Sequence, residues 1–283
     1  MFTLDARALQ FLHESNAIEE IHDIDYTKPE NLYPGRGHAW ALLDSQARAL
    51  RRERLELEDI CRWQRLLTEE QARYGHAIPA RGIGRLRGPE APFNVRVGNH
   101  IAPPWSDVQG LMQKWLSELH KKLEPLNPLV VNAVTAIEIL GDFFQRFEAI
   151  HPFVDGNGRT GRLIANYLIT YCRHPIIIFR SSERQFFYEA HRSKMAMRCF
   201  MLGKYEEATF APDWDLLERI HSVKQDPAHS VEQLNAVMAS ARYRILERKS
   251  RGLENNVYGD EKESIVVDWS ELRTARAEWS KAV

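Results

Sequence analysis

The sequence predicts an all-α protein, a helical bundle carrying one small β-hairpin. Three observations predict it. Apolar residues recur at spacings of three and four along most of the chain, the period of a half-buried helix. The densest internal run of Gly and Pro, between Gly75 and Pro104, rules out a long helix there. Inside that run, Phe93-Asn94-Val95-Arg96-Val97 alternates with the period of a strand.

The elements follow in chain order. Leu4, Ala8, Phe11, Ser15, Ile18 and His22 share one stripe of an N-terminal helix. Asp25 to His38, with Pro29, Pro34, Gly35 and Gly37, is predicted as a loop. From about Ala39 to Tyr74 a helix, broken at most once, carries Leu43, Leu50, Leu57 and Trp63. The strand at Phe93–Val97 is expected to pair with Ile83-Gly84-Arg85-Leu86, with Gly88 to Pro92 as the turn. Ser106 is the expected N-cap of the next helix.

From about Pro128 to Ile150, Val131, Val134, Ile137, Leu140, Phe143, Phe144 and Phe147 form so wide an apolar face that the helix should be central and buried. Thr160–Tyr171, Glu183–Met201 and Trp214–Val223 also read as helices. Past Gln225 the chain is more polar and includes a basic helix with Arg242, Arg244, Arg248, Lys249 and Arg251, read as a solvated face. The expected organisation is an N-terminal helix and loop over 1–38, a core over 39–224 and a helical extension over 225–283.

Composition narrows the function classes. The 283 residues carry a formal net charge of −1, so nothing calls for nucleic acid or an anionic membrane as a partner. Cys61, Cys172 and Cys199 are far apart and include no CxxC pair, which suits a reducing compartment. The N-terminus shows no basic region followed by an apolar run, and the densest apolar stretch, Pro175 to Phe179, stops at Arg180. A cytoplasmic protein is expected, with translocation into another cell by a different signal left open.

The chemistry is concentrated in His151-Pro152-Phe153-Val154-Asp155-Gly156-Asn157-Gly158-Arg159-Thr160-Gly161-Arg162, between the buried helix and the next one. A helix N-terminus offers main-chain N–H groups and the positive end of the helix dipole, a ready phosphate site. Gly156 and Gly158 let the backbone approach an anion closely. Arg159 and Arg162, three apart, can add charge-assisted bonds to the same anion. Asp155 is the kind of oxygen ligand magnesium takes beside phosphates. His151, with a near-neutral pKa, suits acceptance of a hydroxyl proton.

This segment resembles the signature of the Fic (Fic/Doc) family, His-Pro-Phe-x-(Asp/Glu)-Gly-Asn-Gly-Arg-x-x-Arg, at every fixed position. The resemblance runs from about Leu4 to Phe210. It implies a Fic-type helical bundle and transfer of AMP from ATP to a hydroxyl side chain of a target protein. By the same resemblance, His151 is the general base and Asp155 holds Mg²⁺ against the α- and β-phosphates. Gly156, Asn157 and Gly158 form the anion hole, with Asn157 also contacting phosphate; Arg159 assists the β-phosphate and Arg162 the γ-phosphate. Phe153 is structural. The hairpin, about 83–99 with Leu86, Val95 and Val97, resembles the family's target-positioning flap, and Tyr188 is assigned to the adenine pocket.

Near the N-terminus, Ser15-Asn16-Ala17-Ile18-Glu19-Glu20 resembles the family's inhibitory motif, (Ser/Thr)-x-x-x-Glu-(Gly/Asn). That implies the subclass whose N-terminal helix pairs a glutamate, here Glu19, with the second motif arginine, Arg162. Glu20 departs from the motif, and a small residue there would let the backbone pack closely. Two alternatives stand beside AMP transfer: a related transfer or de-AMPylation on the same scaffold, and a nucleotide-binding regulatory module without turnover.

Overall fold

The computed structural model describes Leu4 and residues 6–21, 36–73, 77–98, 100–126 and 131–209. Eight α-helices and one hairpin are present among them: α1 (Ala6–Ile18), α2 (Arg36–Arg51), α3 (Leu57–Arg73), β1 (Arg96–Val97), β2 (His100–Ile101), α4 (Trp105–Leu123), α5 (Ala133–Ile150), α6 (Asn157–Tyr171), α7 (Arg184–Ala190) and α8 (Lys194–Thr209). The predicted helix at Trp214–Val223, the basic helix at Arg242–Arg251 and the whole 225–283 extension lie outside the described residues. No described helix is long and apolar enough to cross a membrane.

The bundle is built around α5 and α6. Their apolar faces are wide, as the spacing of Ile137, Leu140, Phe144 and Phe147 requires, and every residue of α6 from Arg159 to Thr170 is buried. Helix α6 packs on α2, α3 and α5, while α5 also packs on α4 and α8. Polar ties fix these contacts. The Trp115 indole N–H donates to the Phe143 carbonyl at 2.9 Å, holding α4 to α5. Arg198 of α8 grips Asp142 of α5 with two bonds of 2.8 Å. Asn166 of α6 takes the Ile177 N–H at 2.8 Å and donates to the Ile177 carbonyl at 3.2 Å, which lays the chain after α6 against it.

Helix α1 closes over one end of this core. Phe11, Leu12 and Ile18 are buried. Asn16 Oδ1 meets His38 Nδ1 of α2 at 3.1 Å, and Glu14 accepts from the Ser181 N–H and hydroxyl at 2.7 and 2.8 Å.

Several predicted boundaries change. Helix α2 starts at Arg36, inside the segment predicted as loop, and the long second helix does break, at 52–56. Helix α6 begins three residues before Thr160, because Gly156 turns the chain directly into it. The predicted helix 183–201 divides into α7 and α8. Ser106 is not a cap: α4 starts at Trp105 after Pro104, and the Ser106 hydroxyl bonds Asp107.

The hairpin is the largest correction. Its strand pairs forward, Arg96 with Ile101 and Val97 with His100, rather than backward with 83–86. Gly98, at φ +56°, supplies the positive φ that a two-residue turn demands. Gly88 and Ala91 bond each other only as an isolated bridge, and Leu86 packs against the core rather than joining the ribbon.

Two helix glycines differ in their surroundings, and that gives a test. A methyl at Gly110, on the exposed face of α4, meets nothing within 4 Å, whereas one at Gly141 meets the Arg198 backbone at 3.2 and 3.3 Å. Gly110→Ala should raise the unfolding free energy by about 0.5–1 kcal/mol through helix propensity. Gly141→Ala should lower it, because α5 and α8 must separate. Urea unfolding of both variants checks the opposite signs.

Candidate active site

The signature loop is held in shape by its own side chains and by α3. Asn157 Oδ1 accepts from the Phe153 N–H at 2.8 Å, and its Nδ2 donates to the Phe153 carbonyl at 2.9 Å. Both ends of the amide are thus engaged inside the loop, which holds the main chain of Asn157 at the N-terminus of α6. Phe153 is fully buried against Phe147, as its structural reading requires.

From α3, Gln64 donates to the carbonyls of Asp155 at 3.0 Å and Gly82 at 3.2 Å and accepts from the Gly84 N–H at 2.5 Å. Gly156 sits at φ +78°, with Thr68 3.0 Å from where a Cβ would stand. The left-handed turn and the close approach both require glycine there. Gln64 and Thr68 were not legible in the sequence, where they look like ordinary polar residues of a charged helix.

The first turn of α6 is the predicted anion cradle, and Arg162, one turn further on, is wholly buried beneath it. Arg162 Nε donates to the Ser15 hydroxyl at 2.8 Å, and Nη2 donates to both the Ser15 carbonyl and Glu19 Oε1 at 2.8 Å. Nη1 is sealed from solvent without an acceptor among the described residues. The Glu19 carboxylate lies over the cradle itself: a methyl at Gly158 would fall 2.5 Å from Glu19 Oε1 and 3.1 Å from Arg162 Nη1. Burial pushes the Glu19 pKa up, but Arg162, Arg159 and Arg184 outweigh that and hold it below the usual value. The residues predicted from two distant motifs, Ser15 and Glu19 with Arg162, therefore meet.

Glu20 explains its own departure from the motif. The Ile21 N–H donates to the Asn16 carbonyl at 3.0 Å and the Glu20 N–H to the Ala17 carbonyl at 3.0 Å, the bond pair of a Schellman cap. Glu20 occupies the cap's left-handed position at φ +62°. Gly or Asn is favoured there for backbone conformation, not for close packing as the sequence suggested. The Glu20 side chain reaches outward to Arg184 Nη1 at 2.5 Å.

His151 ends α5 in a left-handed conformation, φ 49°. The Glu148 main chain beside the ring favours its protonation, but weakly. Burial and the Arg87 cation push its pKa down to about 4, so the ring is neutral at physiological pH. Asp155 is half exposed, with Oδ1 accepting from the Gly156 N–H at 2.5 Å and lying 3.8 Å from Arg159 Nη2. Tyr188 is exposed on α7, its hydroxyl accepting from Arg184 at 3.1 Å.

Glu148 is an acid the sequence gave no reason to single out. Its Oε1 is sealed from solvent without a partner among the described residues, and a side chain at Gly161 would overlap its carboxyl. Burial raises its pKa to about 8; Arg162 works against that and the Glu19 charge adds to it.

A folded-state pKa raised above the unfolded 4.5 means that stability is greatest below 4.5 and is lost as pH rises through 8. The half-buried His151 and His191 have depressed values, so they lower stability only as pH falls below the unfolded 6.5. Between pH 6.5 and 8 the loss is therefore Glu148's. Wild type should melt at progressively lower temperature across that window and Glu148→Gln should not, as thermal unfolding at both pH values would show. Parallel curves would assign the loss to another group.

Comparison with known proteins places this geometry. A sequence model of the Fic/DOC family matches residues 54–169. Curated proteins named protein adenylyltransferase Fic align over a stretch of similar length. That of Drosophila erecta is 34% identical over 125 residues, covering 43% of this chain and 22% of the relative. That of Drosophila mojavensis is 36% identical over 126 residues, again 43% and 22%. The matched region spans about a fifth of these relatives' length.

Among solved structures, a Fic domain-containing signaling protein from Bacteroides thetaiotaomicron superposes with a TM-score of 0.50 at 19% identity, covering 82% of this chain and 87% of that one. Fic-1 from C. elegans gives 0.52 at 16%, covering 78% and 64%. At such identities the likeness is one of fold. Residues 54–169, from just before α3 through the signature loop and into α6, are a Fic/DOC family domain.

Proposed function

We propose that this chain is a protein adenylyltransferase restrained by its own N-terminal helix, moving AMP from ATP to a hydroxyl side chain of another protein. One observation carries the proposal: the Glu19 carboxylate is seated between Gly158 and Arg162, an anion of the chain itself where the signature loop is built to receive one. The names of the curated relatives support the transferred group.

In the reaction so proposed, the target hydroxyl oxygen bonds the α-phosphorus of ATP, and the bond from that phosphorus to the β-phosphate oxygen breaks. Pyrophosphate leaves, and the hydroxyl proton passes to the neutral acceptor nitrogen of His151. The main-chain N–H groups of Asn157 and Gly158 receive phosphate oxygens at the helix N-terminus. Arg159 assists the β-phosphate, and Arg162 orients the γ-phosphate once Glu19 has left it.

Asp155 fits a magnesium ion delivered with the nucleotide. It is a single half-exposed carboxylate beside the cradle, and no three His, Cys, Asp or Glu side chains gather into a metal-binding group among the described residues. Such an ion takes one or two protein carboxylates and completes its shell with phosphate oxygens and water, and when bound it neutralises phosphate charge. Tyr188 remains assigned to the adenine side. The β1–β2 ribbon, with Val97 and Ile101 exposed, would take the target segment by strand addition.

Incubation of the Glu19→Gly variant with labelled ATP, Mg²⁺ and a cell extract tests the proposal. Self-modification and target modification should rise at least about tenfold, equivalent to roughly 1.4 kcal/mol of barrier. His151→Ala in the same background should abolish transfer while ATP still binds; transfer at the parent rate would remove His151 as the base. Glu20→Gly relieves a left-handed strain of about 1–2 kcal/mol in the turn that carries Glu19. Its activity should therefore stay at or below that of wild type, and activation by Glu20→Gly would show that the restraint lies elsewhere.

A further inference from the structure

Arg87 has no part in the signature loop and lies 64 residues before His151. It is nonetheless among the most deeply buried side chains of the described residues, with none of its surface exposed. Burial is what acts on its charge, and its bonds run to main-chain carbonyls.

Those carbonyls belong to two different structures. Nε donates to the His151 carbonyl at 2.9 Å, Nη2 to the Ile150 carbonyl at 3.0 Å, and the Arg87 main-chain N–H to the Pro152 carbonyl at 2.8 Å. Nη1 turns the other way, to the carbonyls of Phe93 at 3.2 Å and Pro103 at 2.9 Å. Phe93 and Pro103 flank the β1–β2 ribbon on its two sides, so a single nitrogen draws its legs together. The ribbon is tied to α5 a second time, where His100 Nε2 meets the Ala149 carbonyl at 2.9 Å.

A helix leaves its last carbonyls without partners inside it, and the negative end of its dipole favours a cation. At the end of α5 those carbonyls, from Ala149 to Pro152, are answered by Arg87 and by the ribbon. We propose that Arg87 is the positioning residue that holds the catalytic histidine and the root of the target-binding ribbon as one rigid unit.

The geometry explains why arginine is needed. A guanidinium offers five N–H donors in a fixed plane, so it can face two sets of carbonyls on opposite sides. A lysine ammonium is a point charge on a flexible stem and cannot span both. His151 is a non-glycine residue in the left-handed region, and the bond from Arg87 Nε to its carbonyl is one of the contacts that keep it there. The same cation also faces the imidazole, together with His100, and both oppose its protonation. Glu19 is the charged group facing the ring in the other sense. Arg87 thereby sets where the base points, when it is free to accept a proton, and where the target chain lies relative to it.

Arg87's role rests on His151 being the base, and the test separates the two. Arg87→Lys and Arg87→Met are made in the full-length Glu19→Gly chain, and folding is checked by circular dichroism. Two measurements need no substrate: the His151 ring titration by NMR, and amide hydrogen exchange over 93–103. In Arg87→Met the ring should titrate closer to the ordinary histidine value, while Arg87→Lys, which keeps the cation, should stay near the parent. In both variants the ribbon amides should exchange at least about tenfold faster, since its root is untied.

In transfer assays kcat should fall about a hundredfold in both variants, the scale of a misplaced base, with the KM for ATP within about threefold of the parent. Arg87→Lys alone decides the test if Arg87→Met does not fold. Unchanged ribbon exchange, or transfer by Arg87→Lys at the parent rate, overturns the proposal. Absence of any His151-dependent transfer in the parent would instead overturn the functional assignment, and the titration and exchange would still decide Arg87.

Discussion

An arginine does not shed its proton inside a protein, so a buried guanidinium must be answered by acceptors. That constraint organises this molecule twice. Arg162 stands under the first turn of α6 and finds its acceptors on α1, at Ser15 and Glu19, which is why the N-terminal helix docks where it does. Arg87 stands under the end of α5 and finds its acceptors on that helix and at the foot of the ribbon. Between them lies the loop from His151 to Gly156, bounded on both sides by a charge that the fold must satisfy.

Helix α3 supplies the remaining wall. Gln64 holds the Asp155 carbonyl and two groups of the 82–84 segment with one amide, and Thr68 closes on Gly156. The loop is therefore fixed from outside by α3 and from inside by the ring that Asn157 closes on Phe153. A loop so braced can offer main-chain N–H groups to an anion without first having to order itself, which is what preorganisation means for a phosphate site.

Helix positions were legible in the sequence because their period repeats over many residues, and the loop was legible because its chemistry is compressed into twelve neighbours. The hairpin register was not. Two residues of strand on each side carry almost no period, and the dense glycines and prolines at 88–92 outweighed the single Gly98 after β1. Arg87, Gln64 and Glu148 escaped for a different reason. Each acts through partners far away in the chain or through burial, and neither distance nor burial is written in local spacing. Glu20 lies between these cases: its departure from a motif was visible, but the reason for the motif, a positive φ in a Schellman cap, needed the backbone.

The contact over the first turn of α6 also joins distant parts of the chain. Ser15 and Glu19 reach Arg162 across 147 and 143 residues. Those bonds answer a wholly buried guanidinium, so displacing α1 would uncover a charge that water or another anion must then meet. The end of α1 and the first turn of α6 are thereby coupled: whatever binds one changes the free energy of occupying the other, in equal measure in both directions.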